Sequence, residues 1–244
     1  MDVLRAINHL NNLNATEGLA WASSNFKQVR FATSLGEEDQ AITHLIAKNN
    51  LPVQIFTLDT GRLFQETYDL LHLTRLHYNT PIQVYFPDTA QVEEYVQQHG
   101  INGFYDSVEN RKQCCHIRKV VPLKRALTGA EIWVTGLRQA QSANRGNMQR
   151  AVWDEEYKLI KYNPVFDWSD DQLHEFIEAN KIPVNTLHKK GFPSIGCAPC
   201  TRAVMPGEDA RAGRWWWEQD GPRECGLHGG GGRVQQKSAV CTPL

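Results

Sequence analysis

The sequence predicts an α/β protein: a mainly parallel sheet with helices on both faces, followed by a loop-rich C-terminal metal region. Three observations carry this. Short apolar, β-prone runs alternate with stretches of helical periodicity from Val29 to Thr135, and three of those runs end in a turn that contains a glycine. Beyond Asn185 glycine and proline crowd the chain around Cys197-Ala198-Pro199-Cys200. Alternating strands and helices favour a parallel sheet, with ligands bound beyond the carboxyl ends of its strands.

Residues 1–26 read as helical and stop before the first strand, Val29-Arg30-Phe31-Ala32-Thr33-Ser34-Leu35. After Gly36 a helix is expected from Glu37 to about Lys48, and Val53-Gln54-Ile55-Phe56-Thr57-Leu58 has the makeup of a second buried strand. Phe64, Tyr68 and Leu71 recur at helical spacing. Ile82-Gln83-Val84-Tyr85-Phe86 is a third strand between Pro81 and Pro87, Thr89–Gln98 is helical, and Ile132-Trp133-Val134-Thr135 is a fourth strand. Three turns, at 33–39, 58–62 and 135–138, should converge on one crevice. Further on, Leu173, Phe176 and Ile177 mark an amphipathic helix capped by Ser169, with Asp170 and Asp171 where the helix dipole favours acids. Residues 185–228 offer little regular structure, so something other than a large apolar core must organise them.

A chain of 244 residues suffices for one large domain or two small ones. The formal net charge of -1 gives no global field to hold nucleic acid or an anionic membrane surface, so any bound anion needs a local cluster of cations. No stretch approaches a membrane span and no secretory pattern opens the sequence. With its cysteines grouped rather than scattered, a reducing cytoplasm is the expected compartment.

Of the six cysteines, Cys114-Cys115 and Cys197/Cys200 form two pairs. Four thiolates suit a tetrahedral zinc ion or a four-iron cluster; adjacent cysteines point in different directions, which favours separated irons over one compact ion. The alternative is that Cys114 and Cys115 are buried small hydrophobes and Cys197/Cys200 a redox pair, which leaves the loop-rich region without a staple. Cys225 stands apart in Glu224-Cys225-Gly226-Leu227-His228, beside a histidine and ahead of Gly229-Gly230-Gly231-Gly232, the makeup of a nucleophile on a mobile segment. Cys241 reads as incidental. Arg111, Arg118, Lys119, Arg138, Arg145, Arg202, Arg211 and Arg214 crowd near these cysteines and the fourth strand, consistent with a pocket for a compact dianion, although any single one is more often a solvated charge. Trp215-Trp216-Trp217 reads as packing.

These elements together resemble assimilatory adenylyl-sulfate reductases within the phosphoadenylyl-sulfate reductase family. The resemblance runs from about Phe31 to His228 and rests on Leu58-Asp59-Thr60-Gly61-Arg62, Cys114-Cys115, the stretch from Ile195 to Arg202, the stretch from Arg211 to Trp217, and the segment around Cys225. It implies an adenine-nucleotide α-hydrolase-like sheet forming one domain over 1–228, with a Gly-rich tail at 229–244. Its first loop, Ser34-Leu35-Gly36-Glu37-Glu38-Asp39, departs from the Ser-Gly-Gly-x-Asp-Ser pattern of a pyrophosphatase loop. Losing a glycine and gaining acids argues against binding and cleaving a triphosphate.

The resemblance further implies that Cys114, Cys115, Cys197 and Cys200 hold one [4Fe-4S] cluster, and that Cys225 attacks the sulfur of adenylyl sulfate to give a Cys S-sulfonate and AMP. Thr33, Ser34, Leu58, Gly136 and Arg138 match positions that hold the adenosine. Lys119, Arg145, Arg211 and Arg214 match those for the phosphosulfate, His228 matches a contact near the nucleophile, and Arg62 is a further substrate-binding position. No thioredoxin-like domain follows Cys225, so thioredoxin is the expected separate donor of electrons, releasing sulfite for cysteine biosynthesis; a homo-oligomer is left open. Enzymes with both cysteine pairs generally use adenylyl sulfate rather than its 3'-phosphorylated form. The rivals are a 3'-phosphoadenylyl-sulfate reductase, an iron-sulfur tRNA thiolase, which would want an intact loop and a basic face, and a zinc-stabilised binding module.

Overall fold

The computed structural model of the chain describes residues 2–141 and 149–218. Among them one sheet runs in the order β3-β2-β1-β4-β6-β5, from β1 (Val29–Ala32), β2 (Gln54–Leu58), β3 (Ile82–Tyr85), β4 (Ile132–Val134), β5 (Ala151–Asp154) and β6 (Leu159–Tyr162). Every neighbouring pair is parallel except the edge strand β5, which is antiparallel to β6. The strand order reverses between β1 and β4, so a crevice opens there at the carboxyl ends.

Both faces of the sheet are covered, which is why β4 is buried at all three positions and reads as a continuous apolar run. On one face Val29, Phe31, Ile132 and Val134 pack with Ala6, Ile7 and Leu10 of α1 (Val3–Asn11), Leu19 of α2 (Ala15–Asn25) and Ile42 and Ile46 of α3 (Glu37–Lys48). On the other, Phe56, Trp133 and Leu159 meet Leu123, Ala126 and Leu127. Each such side chain contributes about 1.5 to 3 kcal/mol when fully buried.

The amino-terminal segment differs from the single helical stretch expected. Asn14 accepts from the Glu17 amide and the Glu17 carboxylate reaches back to the Asn14 N–H, a capping box that restarts the helix as α2. The hairpin β5–β6 was not expected at all. Asp154 Oδ1 accepts from the amides of Glu156 and Tyr157 to close its turn. β6 hides a lysine in its interior: Lys161 is 3% exposed and its ammonium lies 4.8 Å from the Trp133 ring centroid.

α4 (Gln65–Tyr78) and α5 (Thr89–His99) follow β2 and β3. A long helical run then carries the first cysteine pair: α6 (Val108–Cys115), a π-helical turn at His116–Val120, and α7 (Val121–Leu127). π-turns recur at functional sites because they re-aim the side chains that follow. Here the turn holds Arg118, whose Nη1 donates to the Thr60 carbonyl at 2.7 Å, and Lys119. After α8 (Asp170–Ala179), opened by a Ser169 capping box, the described chain has two single-turn 3-10 helices, His188–Lys190 and Ala198–Cys200, turns, and an isolated bridge between Thr201 and Arg214, in keeping with the loop-rich region expected. No helix among the described residues is long and apolar enough to cross a membrane. The expected tail at 229–244 lies outside the described residues.

Candidate active site

The three expected turns do converge. Beyond the carboxyl ends of β1, β2 and β4 lies a cleft of about 470 Å3 lined by Thr33, Ser34, Leu58, Lys119, Gly136, Arg138, Arg211 and Arg214. Gly136 permits the close approach of the first and third turns, because a Cβ there would overlap the Asp39 carboxylate.

The first turn is built around Asp39. Its Oδ2 accepts from the Ser34 amide at 2.5 Å and the Ser34 hydroxyl at 2.7 Å, closing the loop onto the first turn of α3. Leu35 stands where the pyrophosphatase pattern has a glycine and adopts φ 62°, a conformation that costs a non-glycine residue roughly 1 kcal/mol or more. Its side chain is buried, which offsets that cost. Burial pushes the Asp39 carboxyl up to about 7, against the two Ser34 hydrogen bonds, with the neighbouring Glu38 raising it further. The N-terminus of α3, which would otherwise welcome an anion, is thus lined by Glu37, Glu38 and Asp39.

Arg138 belongs to this acidic end. Its Nε and Nη2 donate to Glu38 Oε1 at 2.9 and 2.8 Å, Nη2 also to Asp170 Oδ1 at 2.7 Å, and Nη1 to the Trp168 carbonyl at 3.0 Å. The guanidinium therefore ties the third turn to α3 and α8. Lys119, Arg211 and Arg214 also line the cleft, and Lys119 lines the neighbouring cysteine cavity as well. Arg214 is 6% exposed, donates to Ser194 Oγ at 3.3 Å and keeps a buried Nε with no protein partner. Gly196 makes its room, since a Cβ there would collide with the guanidinium.

A second, smaller cavity adjoins the cleft and is lined by Cys114, Cys115, Cys197 and Cys200, with Arg62, Arg111, Arg118, Lys119 and Trp215. Sequence expectation grouped these four thiols, and α6 and the loop at 197–200 bring them together. None forms a disulfide, and three are buried. Burial, then the neighbouring Cys197, pushes the Cys200 thiol up to about 12 while Lys119 pulls the other way; burial likewise raises Cys114. Four free thiols around one cavity, three of them buried, with cations beside them form a donor set for a thiophilic metal centre. No three His, Cys, Asp or Glu side chains among the described residues gather as a chelating group for a single ion.

The two cavities share a wall, because Lys119 and Cys197 line both. Thr60 joins them as well: it lines the cleft, and its hydroxyl sits 3.3 Å from Cys197 Sγ while accepting from the Arg62 amide. Arg62 is placed differently from the substrate-binding role expected of it. Its guanidinium leaves the cleft, donating to the Ile101 carbonyl and Asn102 Oδ1 and stacking 4.8 Å over Phe104. Arg145, Cys225, His228 and Cys241 lie outside the described residues.

Of the tryptophan triplet, Trp215 packs as expected and Trp217 is partly buried, whereas Trp216 is 40% exposed. Trp215 is 1% exposed, with the Arg111 guanidinium 4.7 Å and the Arg214 guanidinium 4.9 Å from its ring. Sequence reasoning missed Thr60, Glu38 and Asp170 as parts of the site. Thr60 sat inside a motif already singled out, whereas nothing local could announce a salt link spanning from residue 38 to residue 170.

Comparison with known proteins gives consistent results. Residues 28–203 match the family model of the phosphoadenosine phosphosulfate reductase domain. An adenosine 5'-phosphosulfate reductase of Allochromatium vinosum is 50% identical over 214 residues, covering 88% of this chain and 84% of the relative. One from Rhizobium meliloti is 54% identical over 198 residues, covering 81% and 75%. The crystal structure of phosphoadenylyl-sulfate reductase from Candida auris, in a phosphate complex, superposes with a TM-score of 0.69 at 28% identity, over 81% of this chain and 96% of that one. Candida glabrata FMN adenylyltransferase, at a TM-score of 0.52 and 15% identity over 87% of this chain and 72% of that one, shares the fold alone. With a matched model spanning well over half its length and relatives about half identical throughout, this chain belongs to the phosphoadenosine phosphosulfate reductase domain family.

Proposed function

We propose that this chain is an adenylyl-sulfate reductase, converting adenylyl sulfate to sulfite and AMP in sulfate assimilation in the cytoplasm. The observation that carries the reading is the makeup of the cleft: Lys119, Arg211 and Arg214 line it, Lys119 and Cys197 join it to the cavity of the four cysteines, and Arg138 is paired with Glu38 and Asp170. One compact dianion is welcome beside these cations. A second, such as a 3'-phosphate, meets the carboxylates that also line the cleft, which favours adenylyl sulfate over its 3'-phosphorylated form. The relatives named as adenosine 5'-phosphosulfate reductases support the same choice.

In this reading Lys119, Arg211 and Arg214 hold the phosphosulfate and neutralise charge that builds on the leaving phosphate, with Arg145 and His228 as further contacts. Thr33, Ser34, Leu58, Gly136 and Arg138 shape the adenosine end. The Cys225 thiolate attacks sulfur; a sulfur–sulfur bond forms, the sulfur–oxygen bond to AMP breaks, and AMP leaves with the electron pair. A thioredoxin thiolate then attacks Cys225 Sγ, sulfite departs, and the second thioredoxin thiol resolves the mixed disulfide, so the two electrons come from the dithiol.

Cys114, Cys115, Cys197 and Cys200 would hold one [4Fe-4S] cluster; four free thiols lining one cavity, three of them buried, support it. Bound there, it supplies iron–thiolate bonds that organise a region poor in regular structure. The function is tested by sulfite release from adenylyl sulfate and from its 3'-phosphorylated form, side by side with thioredoxin. Preference for the second compound, or no sulfite from either, sinks the proposal.

A further inference from the structure

Two guanidinium groups serve the adjacent cysteine pair. Arg118 has Cys114 as a hydrogen-bond partner and Arg111 has Cys115, and both arginines line the cysteine cavity. They are buried alike, at 8% and 6% exposed. Their other partners differ. Arg118 Nη1 donates to a neutral oxygen, the Thr60 carbonyl at 2.7 Å, whereas Arg111 grips the Glu218 carboxylate, Nε to Oε1 at 2.7 Å and Nη2 to Oε2 at 2.8 Å. Glu218 is itself shut away from water, its side chain 11% exposed. Burial alone does not demand that carboxylate, because Arg118 lies as deep and is held by a carbonyl. A bidentate fork fixes orientation as well as charge, and the Arg111 guanidinium is further seated 4.7 Å from the Trp215 ring centroid.

We propose that Glu218 is a positioning residue of the metal centre: acting through Arg111, it cancels one of the cations beside the cysteines and so sets how readily the centre takes up an electron. The inference rests on the reading of the four cysteines as ligands of one [4Fe-4S] cluster. Net charge and hydrogen bonds to the sulfurs are the levers by which a protein sets such a potential. A unit charge a few ångströms from the centre in a poorly screened interior shifts a one-electron equilibrium by about tenfold or more. With Glu218 in place, Arg111 brings its hydrogen bond to Cys115 without adding net charge, so the cluster is harder to reduce than it would be beside Arg111 alone. In the reaction as proposed both electrons come from a dithiol, and a centre that resists reduction is then a fixed charge beside the cleft.

The test uses the full chain loaded with iron, without nucleotide, poised at one low potential, and reads the reduced fraction by electron paramagnetic resonance. Glu218→Gln is expected to raise the reduction equilibrium constant about tenfold, or ~59 mV for one electron, with iron content unchanged. The double variant Arg111→Gln/Glu218→Gln, which removes the cation as well, should return to within about twofold of wild type. A mere staple of the fold gives no rise that loss of its partner cancels. A rise below about twofold overturns the proposal, whether wild type and variant are reduced alike or not at all, and so does a rise that persists in the double variant. If either variant at Glu218 does not retain iron, Arg111→Gln carries the test: it leaves the carboxylate without its cation and should lower the same constant, and a rise or no change overturns the proposal. Failure of the underlying reading looks different: anaerobically purified wild-type protein would then carry no iron.

Discussion

Around β1 and β4, Phe31, Ile132, Val134 and Tyr162 are sealed by aliphatic and aromatic contact on one face of a hydrogen-bonded sheet, and Phe56 and Trp133 on the other. Between Asn185 and Glu218 the chain is held by other means: four thiols around one cavity, a tryptophan between two guanidinium groups, a buried Arg–Glu pair and one isolated bridge. The first region stays folded by removing apolar surface from water, a diffuse force that tolerates small changes. The second depends on a few specific contacts, several of them between partners far apart in sequence, as with Arg111 and Glu218. Function sits at the join, where Lys119 and Cys197 wall both cavities, so the cleft borrows rigidity from the sheet and its cations from the fragile side.

If the two regions differ in this way, removing a ligand should unmake one and spare the other. Cys197→Ser is expected to lose iron and several kcal/mol of stability, with amide exchange rising across 185–218 and staying slow in β1 and β4. Uniform loss of protection in both would break the comparison. Cys225→Ser tests the chemistry without touching the metal: sulfite release should fall by about a thousandfold or more while the brown colour persists, because a serine hydroxyl is almost wholly protonated and a poor nucleophile. An adduct found on Cys241 instead would contradict it.

Smaller effects sharpen the contrast. Arg211→Ala and Arg214→Ala should each cost about 1.5 to 3 kcal/mol, roughly tenfold to a hundredfold in kcat/KM, by removing a charge-assisted contact to the phosphosulfate. Wild-type kinetics in both folded variants would remove these residues from the site. A Cβ at Gly213 would run into the Arg202 carbonyl, so Gly213→Ala should cost about 1 to 3 kcal/mol and lower kcat/KM by displacing Arg214, which thermal melts and steady-state assays read together.

In the sheet half the expected effect depends on pH and centres on Asp39. Its folded-state carboxyl titrates near 7, above the ordinary value of 3.8, so the folded protein holds this proton more tightly than the unfolded chain. Stability is then full below about pH 4 and declines as pH rises through 7, by at most about 4 kcal/mol. Asn cannot ionise but accepts the Ser34 bonds less strongly, so the stability of Asp39→Asn relative to wild type should rise by about 2 to 3 kcal/mol between pH 5 and pH 8, from a loss at the lower pH to a gain at the higher. A melting-temperature difference independent of pH would refute the assignment.

Much of the sheet was legible because its strands carry their own signal. Each of β1 to β4 is a short apolar run, and each crossover carries helical periodicity. β6 was not legible, because Lys161 interrupts it and the contact of its ammonium with the Trp133 ring, on a different strand, is set only by the tertiary structure. The break between α1 and α2 was written in Asn14 and Glu17, but a capping box stands out only once a helix start is suspected. The cysteine pairs announced themselves by spacing. Arg62 and Arg138 did not reveal their partners, since a guanidinium beside a cleft can face the ligand or the protein, and acids or carbonyls elsewhere in the chain decide which.

By itself the sequence determined which chemistry is present: an alternating α/β pattern, a first loop with acids in place of a glycine, two cysteine pairs, a lone cysteine, and cations in excess around them. Those are properties of residue type and local spacing, and short-range sterics and periodicity suffice to read them. Only the tertiary structure decided that Lys119 and Cys197 wall both cavities, that Arg138 is spent on Glu38 and Asp170, and that Arg111 grips Glu218 across 107 residues. Long-range pairing of like residues has many near-equivalent alternatives along a chain, and the choice among them is made by how the packed sheet and the π-turn aim each side chain.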